Sequence, residues 1–195
     1  MAKLYFRYGA MGSAKTLNLL AVAHNYRQQG KKVVLIKPRL DDRFGASSIK
    51  SRAGLEQEAD MLVDANTRLD FELFSGLSCV LVDEAQFISP TIIEQLRQLT
   101  IERDIPVICY GLRTDFRSRL FEGAHRLMEL ADSIEEVKTT CAFCNRKAVM
   151  NLKHMNGKPT LAGPSIDLGA DEKYFPACYR CYRDKLEEAG ERIPF

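Results

Sequence analysis

The sequence predicts an α/β domain with a mostly parallel sheet flanked by helices. Three observations carry that expectation: near-continuous apolar runs that suit strands buried on both faces, segments of helical spacing between them, and a glycine-bearing loop joining the first strand to the first helix. Leu4, Tyr5, Phe6, Arg7 and Tyr8 form a short β-prone run ended by Gly9. From Lys15, the apolar Leu17, Leu20 and Ala23 recur at helical spacing until Gly30 stops the run. Val33, Val34, Leu35 and Ile36 make the next strand. Residues 41–52 are polar, carry Gly45 and three serines, and read as a surface loop. Cys79, Val80, Leu81 and Val82 repeat the buried-strand character. Ser89 and Pro90 suit the N-cap and first position of a helix whose Ile92, Leu96 and Leu99 share one face. A strand follows from Ile105 to Cys109, and a further helix from about Leu120 to Ala131. From Thr139 the composition turns to paired cysteines, Lys, Gly and Pro, which places a boundary between 1–138 and 139–195.

Composition narrows the function classes. The chain has 195 residues, 28 Lys+Arg against 26 Asp+Glu, a formal net charge of +2 and 46% hydrophobic residues. A balance so near zero argues against a protein that coats nucleic acid or an anionic membrane. Ordinary hydrophobic content argues against disorder. No apolar run approaches the ~18 residues of a membrane span, and the first residues lack a signal-peptide layout. The expectation is a soluble, cytoplasmic protein with neither membrane nor nucleic acid as partner.

Gly9-Ala10-Met11-Gly12-Ser13-Ala14-Lys15-Thr16 follows a strand and opens a helix. It matches the phosphate-binding loop G-x-x-x-x-G-K-S/T at every fixed position but one, where Ala14 replaces the second Gly. Such a loop presents backbone N–H groups to an anion at a helix N-terminus, where the helix dipole helps. Lys15 would reach the β- and γ-phosphates and the Thr16 hydroxyl would ligate Mg²⁺. Val80-Leu81-Val82-Asp83-Glu84 supplies the matching half: an acid at a strand's carboxyl end, the edge where open α/β sheets bind ligands. Glu84 reads two ways on spacing alone. It is either a general base beside Asp83 or a solvated Glu opening the next turn. The overall class is therefore P-loop NTPase-like.

Six cysteines divide into two groups. Cys79 and Cys109 sit in apolar runs as small buried hydrophobes. Cys141/Cys144 and Cys178/Cys181 are two Cys-x-x-Cys pairs separated by residues 145–177. Each pair can clamp one edge of a tetrahedral Zn²⁺, and a closed four-thiolate set leaves the metal structural. His24, His125 and His154 show no ligand or triad spacing.

In order and spacing these pieces resemble thymidine kinase of the type II, phosphate-loop and zinc-lasso family, over essentially the whole chain. The resemblance rests on the loop 9–16, Asp41-Asp42-Arg43-Phe44, residues 82–87, residues 110–116, the cysteine pairs and the stretch from Gly169 to Cys181. It implies phosphorylation of the thymidine 5′-hydroxyl by ATP with Mg²⁺. Lys15 and Thr16 would handle phosphates and metal, and Asp83 would act on the metal through water. Glu84 matches the catalytic base. Gly9, Ala10, Met11, Gly12, Ser13, Ala14, Asp83, Glu84, Ala85, Gln86 and Arg43 fall on the ATP side. Met11, Asp41, Phe87, Leu112, Phe116 and Phe121 match the nucleoside pocket. The lasso, Ser165, Ile166, Asp167, Leu168 and Gly169, would close over the base with Tyr174 following. A small C-terminal lasso domain would hold structural zinc on Cys141, Cys144, Cys178 and Cys181. The resemblance also implies a homotetramer and feedback inhibition by thymidine triphosphate. Ala14, Ala170 and Tyr179 depart from the family's usual residues, and none removes a group that performs chemistry.

Overall fold

The computed structural model describes residues 1–41, 45, 47–166 and 173–193. Its main sheet has six strands: β1 (Leu4–Tyr8), β2 (Val33–Pro38), β5 (Met61–Val63), β6 (Cys79–Val82), β7 (Val107–Gly111) and β8 (Ser133–Glu136), in the order β5-β2-β6-β7-β1-β8. Every pairing in that sheet is parallel. The apolar runs form strands because both faces are covered. Val80 and Val82 look toward one layer with Leu4, Phe6, Ile36 and Cys109, closed by α2 (Pro90–Glu102) and α3 (Glu122–Leu130). Cys79 and Leu81 look the other way with Val33, Leu35, Ile108 and Tyr110, closed by α1 (Lys15–Gln28) through Leu19, Leu20 and Ala23. Side chains alternate along a strand, so a strand with helices on both sides must be apolar throughout. Each fully buried Leu or Ile here contributes about 1.5–3 kcal/mol relative to exposure.

Three local expectations change. In α1 Leu19 is buried beside Leu20 and Ala23, whereas Leu17 is half-buried and turns to the cavity described below. Residues 41–52 are more than a surface loop. β3 (Ser48–Lys50) pairs antiparallel with β4 (Glu56–Glu58), and Ile49 is buried against the α1 layer. Lys37, 1% exposed, pulls the segment inward: its Nζ donates to the Ser48 carbonyl at 2.8 Å and pairs with the buried Asp41 at 3.6 Å. At α2, Pro90 occupies the first turn as expected, but the Ser89 side chain makes no cap. The Ile92 and Ile93 amides bond instead to the Ser89 carbonyl.

A second, antiparallel sheet follows, β10-β9-β11, from β9 (Met150–Met155), β10 (Lys158–Pro159) and β11 (Tyr174–Ala177), with α4 (Tyr179–Glu188) against it. Its core is small: Met150, Leu152, Ala177, Tyr182 and Leu186 with Cys141 and Cys178. Among the described residues, no helix is long and apolar enough to cross a membrane.

Candidate functional site

A parallel sheet brings the carboxyl ends of its strands to one edge, where the loops converge. The loop after β1, Asp41 after β2, Asp83 and Glu84 after β6 and Leu112 after β7 all border one cavity of about 420 Å³. Gly9 begins the loop with no room for a side chain: a Cβ there would lie 2.4 Å from both Ser13 Oγ and the Val137 carbonyl. Gly12 takes a left-handed φ of 74°. Ala14 does too, with φ 61° and ψ 28°, a conformation that glycine adopts freely and alanine does not. Lys15 folds over the loop, its Nζ donating to the Gly9 and Ala10 carbonyls at 3.2 and 3.0 Å and to Ser13 Oγ at 3.3 Å.

The two acids share the cavity for a backbone reason. On a regular strand, Asp83 and Glu84 would point to opposite faces. Glu84 leaves strand geometry for a left-handed φ of 48° and ψ of 39°, so both residues line the cavity. A non-glycine residue held there is strained, and such strain gathers at functional sites. Gln86, 2% exposed, donates its amide NH₂ to Glu84 Oε2 and accepts the Leu112 N–H at 2.9 Å. It therefore holds the glutamate against the segment after β7. Thr16 Oγ1 donates to Asp83 at 3.2–3.3 Å. Burial, with added repulsion from Glu84 and Asp41, pushes the Asp83 carboxyl up to about 7. A hydroxyl and a carboxylate at this spacing, with Asp41 and Glu84 near, form the all-oxygen donor set that suits Mg²⁺.

One wall of the lining is largely apolar and aromatic. Met11, Phe87, Leu112, Phe116, Phe121, Ser165 and Tyr174 all border the same cavity. Phe87 meets Phe121 edge to face at 5.5 Å, and Phe116 lies 6.2 Å from Tyr174. Ile166 borders a neighbouring cavity with Phe87, Phe121 and Ser165. Gly9, Ala10 and Ala85 lie behind the lining, Ala85 fully buried. Arg43, Asp167, Leu168 and Gly169 lie outside the described residues. Sequence reasoning missed Ser48 to Ala53, which run from β3 into the turn before β4, and Thr114, Asp115 and Asn151, all of which border the cavity. Only the packing of distant segments brings these together, and no spacing rule marks them.

The four paired cysteines also meet. Their Sγ atoms all lie within 4.8 Å of one another. The Phe143 N–H points to Cys141 Sγ at 3.4 Å and the Cys181 N–H to Cys178 Sγ at 3.5 Å, each pair forming a knuckle whose amides favour a thiolate. The Cys181 amide draws the Cys178 thiol down to about 7, whereas burial and its neighbours push Cys181 up to about 12. Four sulfurs this close cannot all ionise without a cation among them, so the set fits a zinc ion. Tyr182 of α4, 1% exposed, ties this cluster to the cavity by donating its hydroxyl to the Phe116 carbonyl at 2.6 Å.

The family described as thymidine kinase matches this chain over residues 2–182. The thymidine kinase of Enterococcus faecalis is 44% identical over 186 residues, which cover 93% of this chain and 95% of that one. That of Lactiplantibacillus plantarum is also 44% identical, covering 93% and 96%, and that of Streptococcus gordonii is 43% identical, again covering 93% and 96%. Among solved structures, the Pif1 helicase from Candida albicans aligns at a TM-score of 0.43 and 9% identity, over 70% of this chain and 36% of its own. That likeness is too loose to bear on fold or function. Agreement with curated relatives over more than nine-tenths of the chain leads to one conclusion: this chain is an enzyme of the thymidine kinase family.

Proposed function

We propose that the cavity transfers the γ-phosphoryl group of ATP to the 5′-hydroxyl of thymidine, giving thymidine monophosphate and ADP. The observation that carries the reading is that a phosphate loop, a pair of carboxylates and an aromatic wall border a single cavity. In this reading the loop amides and Lys15 neutralise the triphosphate, and Thr16 and Asp83 hold Mg²⁺. Held by Thr16 and Asp83, Mg²⁺ would supply charge neutralisation to the triphosphate. Glu84 takes the proton from the 5′-hydroxyl as the O5′–Pγ bond forms and the bond from Pγ to the bridging oxygen breaks, so ADP leaves. Gln86 keeps Glu84 aimed into the cavity, and Asp41 and Arg43 act beside the reacting phosphates. Positioning and electrostatics supply most of the rate.

Phe87, Leu112, Phe116, Phe121 and Met11 pack around the base, and the lasso from Ser165 to Gly169, with Tyr174, reads its edge through main-chain groups. We assign 1–138 to phosphoryl transfer and 139–195 to a zinc-anchored module that covers the nucleoside. Family membership further supports a cytoplasmic homotetramer inhibited by thymidine triphosphate.

The test is phosphoryl transfer from labelled ATP with Mg²⁺ to thymidine, deoxycytidine, deoxyadenosine and deoxyguanosine. Labelled thymidine monophosphate alone is expected, and Glu84→Gln is expected to cut turnover by about 10²–10⁴-fold with thymidine binding retained. Product from every nucleoside, or near-normal turnover by the variant, would overturn the substrate or the base respectively.

A further inference from the structure

Asn151 sits on β9 and is 4% exposed. Its amide oxygen accepts the Met11 N–H of the phosphate loop at 2.8 Å, and its NH₂ donates to the Thr114 carbonyl after β7 at 3.1 Å. A buried amide is costly unless both ends are bonded, and here both are. One side chain therefore joins three backbones that are far apart in sequence. The bond also has a local consequence. It turns the Met11 N–H toward β9 and fixes the peptide plane between Ala10 and Met11, which orients the loop amides beyond it.

The other side of Asn151 belongs to the cysteine-bearing module. On β11 its register partner is Pro176, and the next pair, Met150 with Ala177, adjoins Cys178. Two residues further along β9, Lys153 pairs with Tyr174 and its Nζ lies 4.8 Å from the centre of the Phe116 ring. The strand that carries Asn151 thus runs from the cysteine cluster to the aromatic wall.

We infer that Asn151 is a positioning residue that couples the phosphate loop to the cysteine-bearing module, so that an anion held by the loop steadies β9. The inference rests on the loop binding phosphate, as proposed above. Linkage makes such coupling reciprocal: whatever orders the loop must slow the opening of β9, and the reverse.

The experiment is amide hydrogen exchange on the zinc-loaded full chain, with and without Mg²⁺ and inorganic tripolyphosphate, a probe that carries no base. In the unmutated protein, exchange is expected to slow in the loop (9–16) and by about fivefold in β9 (150–155), the effect of one buried hydrogen bond. Asn151→Leu, close in volume but unable to bond, is expected to keep the loop's protection and lose that of β9. A general loosening of the fold would raise exchange in β6 and β7 as well, which this role does not predict. Protection of the loop without β9 in the unmutated protein overturns the coupling and leaves the phosphate reading standing. No protection of the loop overturns the phosphate reading itself. Transmission to β9 that survives in Asn151→Leu also overturns the role of this residue. Should that variant fail to fold, Asn151→Ala, which also lacks both bonds but adds no bulk, makes the same comparison, and transmission that survives in it overturns the role of this residue.

Discussion

Two residues of the site, Ala14 and Glu84, hold left-handed backbone without being glycine. They differ in what the strain accomplishes. At Glu84 it turns a second carboxylate into the cavity, so relief would cost the geometry. At Ala14 the exposed methyl makes no comparable contribution, and the residue carries a penalty of about 1–2 kcal/mol for an L-amino acid in that region. Glycine removes the penalty but returns about 0.4–1 kcal/mol through the freer unfolded chain. Ala14→Gly is therefore expected to stabilise the protein by about 0.5–1 kcal/mol, a rise of about 1–4 °C in Tm. Thermal melts of the two proteins check this; a fall in Tm would show that the loop does not hold Ala14 left-handed. The strain at Ala14 was legible from its place in the loop pattern, where glycine is the rule. That at Glu84 was not: the apolar run shows the strand ending at Val82, but no residue type there marks a left-handed turn.

The position of the loop depends on β1, and β1 is fixed at its start by Asp132, between α3 and β8. The Asp132 carboxylate accepts the Leu4 N–H at 2.8 Å, the Asp132 N–H donates to the Leu4 carbonyl at 2.8 Å, and Arg97 of α2 pairs with the same carboxylate. Burial pushes this carboxyl up, but the Leu4 amide and Arg97 outweigh it, and the net direction is down. A carboxyl lowered by folding adds stability that is present above its unfolded pKa of about 3.9 and lost as pH falls through the folded value. Asp132→Asn is expected to cost about 1 kcal/mol at pH 7, a modest figure because the side chain is 26% exposed. The difference should shrink as pH falls below the unfolded value and through the lower folded one, and urea melts across pH 2–7 measure it; a constant difference would mean that the charge of Asp132 contributes nothing. Which elements the sequence disclosed follows from the same layering. β1, β2, β6 and β7 are apolar because helices cover both faces. β3, β4, β5 and β8 are short and lie at edges or in the hairpin, and Ser48-Ile49-Lys50 or Ser133-Ile134-Glu135-Glu136 carries no pattern that distinguishes strand from loop.

The two sheets meet across the cavity, so neither alone completes it. The six-stranded sheet has two full hydrophobic layers, whereas the cysteine-bearing module has one small core in which Cys141 and Cys178 themselves take part. A segment of that size would draw much of its folding free energy from a zinc ion held by the four cysteines, and thiols without that ion repel or protonate. The cysteine pairs were legible because each is local. Their reach into the site was not, since Tyr182 to Phe116 and Asn151 to Met11 are contacts across 66 and 140 positions of the chain. Those contacts decide what zinc removal does. Chelation at neutral pH is expected to melt β9, β11 and α4 while leaving the parallel sheet folded, so the thermal transition that remains carries less enthalpy and moves to another temperature. Because the Tyr182 hydroxyl then no longer holds the Phe116 carbonyl, the aromatic wall loosens and the KM for thymidine should rise by at least about tenfold, equivalent to about 1.4 kcal/mol. The KM for ATP should rise less, since Lys15, Thr16 and Asp83 stand on the sheet that survives. Calorimetry and steady-state kinetics before and after chelation, with zinc restored as the control, measure both effects. A single transition at an unchanged temperature with an unchanged KM would mean that the module folds on its own core and that the four cysteines do not anchor the nucleoside side.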